Sequence, residues 1–331
     1  MPHKQFDVTC IGHAIVDVLV QTDDAFLTKH GIAKGGMTLI DSFRAETLSA
    51  EMRNAVEASG GSAGNTAAGI ASLGGRAAYI GKVHEDRLGE VYAEDMARIG
   101  VQFSGTPTKK GLPTARSMIL VTPDGQRSMN TFLGCSSAIE PGDIDSGVIA
   151  ASNIFFIEGY LWDVPETKTA IRKGMEAARK SGTKIAFTLS DSFCVGRWRA
   201  EFLDLIANDI DILFANEDEA KSLYETSEFD VAFQKLRAWG KTAAVTRSEK
   251  GSIAVSHGAV HMIDAAPIEK LVDTTGAGDL YAAGFLYGMA RGLSLPVSGK
   301  LASLAAAECI QHMGPRPPGS LKAAAAARGL I

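Results

Sequence analysis

The segment Asp273-Thr274-Thr275-Gly276-Ala277-Gly278-Asp279 is the most informative stretch of this 331-residue chain. Its small residues precede a helix-forming sequence, so backbone N–H groups at the helix start would converge on an anion, and the helix dipole would add to the attraction. In phosphoryl transfer, such an anion hole takes the developing charge, while a carboxylate such as Asp279 accepts the proton of the attacking hydroxyl. Taken alone, the segment is equally compatible with an ordinary helix start. The predicted helix carries its apolar face on Ala282, Phe285, Leu286 and Met289.

Two other phosphate-binding motifs are excluded. A dinucleotide-binding Gly-x-Gly-x-x-Gly motif starting at Gly276 would need a third glycine where Tyr281 stands, and it lies at the wrong end of the chain to open a dinucleotide domain. A Walker A loop ending in Gly240-Lys241-Thr242 would need a glycine in place of Lys235. The sequence therefore supports neither a nicotinamide site nor a P-loop.

The composition is that of a globular protein with no strong charge bias. Hydrophobic residues make up 46% and charged residues 21%, and 33 Lys and Arg against 38 Asp and Glu give a net charge of −5. This charge provides no general attraction to nucleic acid or anionic membranes. Residues 1–7 lack the apolar core of a signal peptide, and no window of about 18 uncharged apolar residues follows. We therefore expect a cytoplasmic protein without nucleic-acid or membrane partners.

The cysteines and histidines indicate no structural zinc site. The four cysteines form no Cys-x-x-Cys pair, and the seven histidines include no His-Glu-x-x-His motif. We interpret the cysteines as buried free thiols of a reducing compartment, as is usual for unpaired cysteine. They are Cys10, Cys135, Cys194 and Cys309.

Short apolar runs alternate with helix-forming segments along the chain. This alternation predicts a mostly parallel β-sheet covered by helices on both faces. One helix is well marked after Asp86, where apolar residues keep a 3.6-residue period up to Ile99 and Gly100 follows as a helix-terminating glycine. The predicted strands are residues 8–11, 77–80, 154–157, 184–189, 212–215 and 243–246.

A hairpin interrupts this alternation. Residues 115–132 predict two strands around the turn Pro123-Asp124-Gly125, in which proline presets one backbone dihedral angle and glycine accepts a positive φ. Together with the apolar stretch 36–40, the hairpin predicts a small sheet that stands off the main one as a lid. An antiparallel edge of the main sheet is the alternative.

The motifs together resemble those of the ribokinase-like (PfkB) carbohydrate and nucleoside kinases. Residues 273–279 resemble the C-terminal signature of that family, and Gly60-Gly61-Ser62-Ala63-Gly64-Asn65 resembles its N-terminal signature. Asn216-Glu217-Asp218-Glu219 is similar to the Asn-x-x-Glu motif, and Thr246…Gly251 to the Thr-x-Gly-x-x-Gly loop, with Ser248 in place of a glycine.

This resemblance extends over nearly the whole chain. It implies one domain over residues 1–331 with the ribokinase-like α/β fold: a central, mostly parallel sheet, helices on both faces and a small β-sheet lid. The lid would be discontinuous in sequence and formed by about residues 14–43 and 108–135. The expected assembly is a monomer or a homodimer.

The resemblance implies roles on the ATP side of the site. Asp279 would be the catalytic base, and Asn216 and Glu219 would organise Mg²⁺ through its water shell, since Mg²⁺ is often held indirectly. K⁺ or another monovalent cation would bind beside Asp273 and Thr275, although Pro318 stands where several relatives carry a hydroxyl residue. The anion-hole amides would be those of Gly276, Ala277 and Gly278, and the ATP contacts Asn216, Thr246, Gly251 and Gly278.

The resemblance also implies roles on the acceptor side. Asp17 matches the carboxylate that binds two sugar hydroxyls, and Glu158 would be a second polar contact. Ser62 stands where ribokinases carry lysine, and Arg127 begins an Arg-Ser sequence like that of the adenosine kinase lid, whose arginine approaches the transferred phosphate. Further substrate contacts would come from Gly60, Gly61, Ser62 and Asn65. Four apolar lid residues would either cover a flat base or simply pack within the lid: Met37, Leu39, Met118 and Phe132.

These features imply a kinase that uses ATP and Mg²⁺ to phosphorylate the 5′-hydroxyl of a ribonucleoside, with adenosine as the first candidate. A kinase of inosine, guanosine or a sugar such as ribose or fructose stays open. So does a catalytically silent nucleoside-binding sensor on the same scaffold. Asp279 argues against the sensor, because a pure binding protein needs no base beside an anion hole.

Overall fold

The computed structural model describes residues 4–105 and 107–331, whose strands form one sheet of nine strands and one of five. The strands are β1 (Phe6–Ile11), β2 (Ile15–Gln21), β3 (Met37–Leu39), β4 (Val56–Ser59), β5 (Ala77–Ile80), β6 (Val101–Phe103), β7 (Ala115–Val121), β8 (Arg127–Phe132), β9 (Ser152–Glu158), β10 (Lys184–Thr188), β11 (Ile212–Asn216), β12 (Thr242–Thr246), β13 (Ser252–Ser256) and β14 (Ala259–Ile263). The helices are α1 (Asp24–Lys29), α2 (Ser42–Glu51), α3 (Ser62–Ser72), α4 (Arg87–Arg98), α5 (Ser146–Ala150), α6 (Pro165–Ser181), α7 (Ser192–Asn208), α8 (Glu217–Leu223), α9 (Phe229–Trp239), α10 (Ala277–Ala290), α11 (Leu295–Ile310) and α12 (Leu321–Ala327).

The nine-stranded sheet confirms the predicted fold class. Its order is β14-β13-β12-β11-β10-β9-β1-β5-β6, and neighbours are parallel except in the pairs β12-β13 and β13-β14. All six strands predicted from apolar runs are present. Ile154 and Phe156 of β9 lie in the core on one face of the sheet, and Phe155 and Ile157 lie in the core on the other. Helices therefore cover both faces, which is why these strands are apolar throughout.

The five-stranded sheet, which we call the small sheet, contains the predicted hairpin. β7 and β8 pair antiparallel around a turn in which Gly125 has a φ of +81°, and β3 pairs with β8. The hairpin therefore belongs to a second sheet rather than to an edge of the main one. The order β3-β8-β7-β2-β4 includes Val56–Ser59, outside the ranges 14–43 and 108–135. That strand reads Val-Glu-Ala-Ser and has no apolar run to predict it.

The helix predicted after Asp86 is α4. The side chain of Asp86 accepts a hydrogen bond from the N–H of Gly89 at 2.8 Å and so caps the first turn. Gly100 follows the helix with a φ of +82°, a conformation that favours glycine. Within the described ranges, none of the helices is both long and apolar enough to cross a membrane.

The four cysteines are free and buried, as predicted. Burial raises the pKa of the Cys309 thiol to about 12, and nearby carboxylates add to the rise. The thiol therefore stays protonated at neutral pH, which makes it a poor nucleophile.

Candidate active site

Two adjoining cavities lie at the carboxyl ends of the parallel strands, where α/β sheets bind ligands. The larger, of about 760 Å³, is lined by residues that follow β11, β12 and β14 and by the first turn of α10. The smaller, of about 270 Å³, lies between α3 and one face of the small sheet. Ser62, Ser190 and Asp279 line both cavities, so the two cavities meet at these side chains.

Asp279 lies in the first turn of α10, where the cavities meet. Its Oδ1 accepts a hydrogen bond from Ser62 Oγ at 2.6 Å, and its Oδ2 accepts one from Asn65 Nδ2 at 3.0 Å. Burial raises the pKa of Asp279 to about 6; the two donors and Arg316 oppose the rise, and the charge of Glu158 adds to it. The carboxylate is thus ionised at neutral pH but takes up a proton readily, as a general base must.

The turn before α10 is built from small residues for steric reasons. Gly276 has a φ of +79°, and a Cβ there would lie 2.5 Å from the carbonyl oxygen of Pro315. The N–H of Ala277 donates to the carbonyl oxygen of Thr274 at 3.2 Å, which removes it from the predicted anion hole. The N–H groups of Gly276 and Gly278 have no hydrogen-bond partner among the described residues. These two donors are therefore free to bind an anion.

Asp17 lies on β2 and lines the smaller cavity. Burial raises the pKa of Asp17 to about 6, and the positive charges of Arg316 and Arg127 oppose the rise. A Cβ on Gly60 would come within 2.6 Å of the Asp17 carboxylate, so this glycine makes room for Asp17 and does not itself line a cavity. Gly61 does line the smaller cavity. Its φ is +82°, and a Cβ on this residue would lie 2.2 Å from the carbonyl oxygen of His13.

Side-chain alternation decides which residues of the small sheet face the smaller cavity. Met118 and Phe132 belong to the buried core on the opposite face of the small sheet, so they do not cover the cavity. Met37 and Leu39 pair with Met129 and Thr131 and therefore lie on the cavity face, but they are more than half exposed and line neither cavity. The small-sheet strands instead contribute Ile15, Asp17, Ser117, Ile119, Met129 and Thr131 to the cavity wall.

Glu158 ends β9 and is only 1% exposed. Its Oε1 accepts a hydrogen bond from the N–H of His13 at 2.8 Å, and its Oε2 accepts one from the N–H of Ala63 at 2.9 Å. Burial raises the pKa of Glu158 to about 7, and these two donors oppose the rise. The carboxylate therefore anchors the start of α3 and lines neither cavity, which differs from the predicted substrate contact.

Arg127 on β8 forms a buried ion pair with Asp273, which joins the small sheet to the segment before α10. The Asp273 carboxylate also accepts hydrogen bonds from the N–H groups of Thr275 at 3.0 Å and Gly314 at 2.8 Å. A guanidinium thus balances the charge of Asp273, where the sequence predicts a monovalent cation. The Nε and Nη2 groups of Arg127 are buried and have no hydrogen-bond partner in the described part of the chain.

Asn216 and Glu219 form a capping box at the start of α8 and line the larger cavity. The Glu219 oxygens accept hydrogen bonds from the N–H and Nδ2 of Asn216 at 2.9 and 2.7 Å, and burial raises the pKa of Glu219 to about 7. The described residues contain no cluster of three or more His, Cys, Asp or Glu side chains that could hold a metal ion. The side-chain oxygens of Asn216 and Glu219 are of the hard kind that Mg²⁺ accepts, either directly or through its waters.

The predicted nucleotide loop lines the larger cavity through Thr246, Ser248 and Gly251. Ser248 has a φ of +51°, so the serine adopts the left-handed conformation that a glycine would favour. Gly251 has a φ of +79°, and a Cβ there would lie 2.1 Å from the carbonyl oxygen of Ile263. The loop therefore keeps a tight backbone path despite the replaced glycine.

Two parts of the site were not predicted from the sequence. One is Arg316, which contacts Asn65 from the segment between α11 and α12. The other is an apolar wall of the larger cavity, formed by the segment between β14 and α10. That segment has neither strand nor helix periodicity, so its sequence carries no signal of a binding surface. The wall residues are Ala265, Ala266, Pro267, Ile268 and Leu271.

Comparisons with known proteins cover nearly the whole chain. A family profile described as pfkB family carbohydrate kinase matches residues 7–322. Among solved structures, the adenosine kinase from Sinorhizobium meliloti is 53% identical with a TM-score of 0.90, and the match covers 98% of this chain and 99% of that one. A probable sugar kinase from Rhizobium etli CFN 42 is 49% identical with a TM-score of 0.91, covering 99% and 100%. The adenosine kinase of Saccharomyces cerevisiae is 26% identical over 330 residues, covering 93% of this chain and 96% of that protein.

Proposed function

Because this chain belongs to the pfkB family of carbohydrate kinases, and is therefore a phosphotransferase with an alcohol acceptor, we propose that it phosphorylates the 5′-hydroxyl of a ribonucleoside, adenosine in particular, with ATP as the donor. The position of Asp279 supports this proposal most strongly. Its side chain lines both cavities, so it reaches an acceptor in the smaller one and a phosphoryl group that enters from the larger one.

The proposed reaction uses a base, an anion hole and the small sheet as a lid over the acceptor. Asp279 takes the proton of the 5′-hydroxyl as the oxygen attacks the γ-phosphorus. The free N–H groups of Gly276 and Gly278, with the dipole of α10, stabilise the charge on the transferred group. Arg127 lines neither cavity in this structure, so its two unpartnered donors would reach the same group when the small sheet closes over the acceptor. The small sheet over the acceptor excludes water, which would otherwise compete for the phosphoryl group.

The larger cavity is proposed to hold ATP. Its volume of about 760 Å³ lies within the range of small-molecule sites, and its apolar wall suits a purine base. Asn216 and Glu219 would hold Mg²⁺ through its waters, and the ion would neutralise charge on the phosphates. Thr246 and Gly251 would line the path of the nucleotide beside them.

The choice of a nucleoside over a free sugar depends on the smaller cavity. Asp17 offers two oxygens to the ribose hydroxyls, and Ile15, Ile119 and Met129 offer apolar surface to a base. Ser62 leaves space that a lysine would fill. The relatives point in two directions, since one solved structure is an adenosine kinase and another a probable sugar kinase. A sugar kinase is therefore the alternative to test.

The experiment measures ATP consumption with adenosine, inosine, guanosine, ribose and fructose as acceptors. We expect the highest kcat/KM with adenosine. Equal values across the panel, or a preference for ribose or fructose, would overturn the nucleoside assignment. Binding of adenosine by calorimetry without ATP consumption for any acceptor would identify a silent sensor instead.

Replacing Asp17 with asparagine is expected to raise the KM for adenosine about tenfold, because a hydrogen bond to a charged group contributes roughly 1.5–3 kcal/mol. The KM for ATP should change little, since Asp17 lines only the smaller cavity. Steady-state kinetics with each substrate varied in turn provides the measurement. A defect confined to ATP would mean that the two cavities have been assigned in reverse.

A further inference from the structure

Arg316 lies behind the proposed site and lines neither cavity. Its Nε donates to Asn65 Oδ1 at 2.9 Å, and its Nη1 donates to Ser59 Oγ at 2.9 Å. The hydroxyl and N–H of Ser59 donate in turn to Asp95 Oδ2, at 2.6 and 2.8 Å, and Arg316 Nη1 is 3.7 Å from the same oxygen. Because Asn65 donates to Asp279, a continuous chain of polar contacts connects Asp95 to the proposed base.

This chain of contacts fixes the orientation of the Asn65 amide. The Nε of an arginine only donates, so the Asn65 atom that it contacts must be the amide oxygen. The amide nitrogen then faces Asp279, where Nδ2 donates to Oδ2 at 3.0 Å. A flipped amide would lose both hydrogen bonds and place an oxygen against the carboxylate. Arg316 therefore selects the one amide orientation that stabilises ionised Asp279.

Arg316 also brings a positive charge to a site rich in carboxylates. It opposes the rise in pKa of both Asp279 and Asp17. Arg127 acts on Asp17 from the small sheet. The titratable groups whose charges interact with Asp279 are Asp17 on β2, Glu158 on β9, Tyr160 after β9, Cys309 on α11 and Arg316 itself.

We propose that Arg316 is a positioning residue for phosphoryl transfer, which holds the Asn65 amide toward Asp279 and balances the charge shared by Asp279 and Asp17. Ser59 and the buried carboxylate of Asp95 hold the guanidinium in place. The effect on turnover rests on the proposed function, whereas the effect on the proton affinity of Asp279 is a property of the free protein.

The test compares Arg316→Gln with the wild type in two measurements. In the free protein, carbon-13 NMR titration of the Asp279 carboxyl, assigned with Asp279→Asn, should show a higher pKa in the variant, because a positive charge and an ordered donor are lost. In turnover with adenosine and ATP, the quantity compared is the ratio of kcat in the variant to kcat in the wild type. For each unit by which the Asp279 pKa rises, this ratio should be about tenfold lower near pH 5 than near pH 8.

Arg98→Gln is the matched control, since Arg98 pairs with the same Asp95 but its side chain is 76% exposed. It should change neither measurement. A folded Arg316→Gln variant would overturn the proposal if its Asp279 pKa and the fall of its kcat at acidic pH were both the same as in the wild type, even if kcat itself were lower. If the Asp279 pKa is shifted but the protein does not consume ATP with any acceptor of the panel, the positioning role would be supported and the proposed function overturned.

A second pair of variants covers the case in which Arg316→Gln does not fold. Arg316→Lys keeps the charge but loses the planar fork, and Asn65→Ala removes the link to Asp279. If Arg316 acts through Asn65, kcat of the double variant Arg316→Lys/Asn65→Ala should be close to kcat of Asn65→Ala alone. Losses that multiply in the double variant would overturn the proposal.

Discussion

Replacing Asp279 with asparagine is expected to lower kcat at least about 100-fold, because a positioned general base contributes ~10²–10⁴-fold to the rate of a proton-transfer step. Asparagine matches the size of aspartate but cannot take up the proton of the attacking hydroxyl. The affinity for ATP should change little, since the free anion-hole donors are the backbone N–H groups of Gly276 and Gly278, which the substitution leaves in place.

The measurement is kcat at saturating adenosine and ATP, with ATP affinity from calorimetry. Asp24→Asn serves as the matched control, because it removes the same charge from a side chain on α1 that is 69% exposed and lines neither cavity. In the wild type, kcat should also fall as the pH drops through about 6, where Asp279 takes up a proton and stops acting as a base. Near-normal turnover in a folded Asp279→Asn variant would remove Asp279 from the base role.

The sheets could be predicted because burial of a strand requires a recognisable pattern of apolar residues in the sequence. Strands such as Ala77–Ile80 are buried on both faces and therefore continuously apolar, and the turn around Gly125 identifies the hairpin. β4 escaped prediction because four residues with a central glutamate carry no such trace. Its place is determined by pairing with β2, a contact between segments distant in sequence.

The direction in which a side chain points was harder to predict than its place along the chain. Glu158 was located correctly at a strand end, yet its oxygens accept hydrogen bonds from backbone N–H groups beneath the cavities. Ser62 and Asn65, predicted on the acceptor side, do line the smaller cavity, but their hydrogen bonds to Asp279 were not predicted. The sequence left two roles open for Met118, covering a base or packing within the lid, because strand periodicity separates the two faces without showing which one meets the ligand. The structure places Met118 in the core. Such choices depend on tertiary packing.

The pairing of Arg127 with Asp273 gives Arg127→Ala two separable consequences. The substitution removes two unpartnered donors proposed to contact the transferred phosphoryl group, and it leaves the Asp273 carboxylate without its cation. Loss of a donor aimed at developing charge typically costs ~10²–10³-fold in kcat, so we expect kcat to fall about 100-fold, with a smaller rise in the KM for adenosine. Arg127→Lys should recover only part of the rate, because an ammonium cannot replace the planar fork.

The double variant Arg127→Ala/Asp273→Asn separates these consequences. If the loss in Arg127→Ala arises from contact with the phosphoryl group, removing the uncompensated carboxylate will not restore kcat. If it arises from the uncompensated negative charge of Asp273 beside the anion hole, kcat will recover in the double variant, and Arg127 will have to be reassigned from phosphate contact to a partner of Asp273. Arg116→Lys is the matched control for Arg127→Lys and should leave kcat unchanged, because Arg116 lies opposite Phe132 on the face of the small sheet turned away from the smaller cavity.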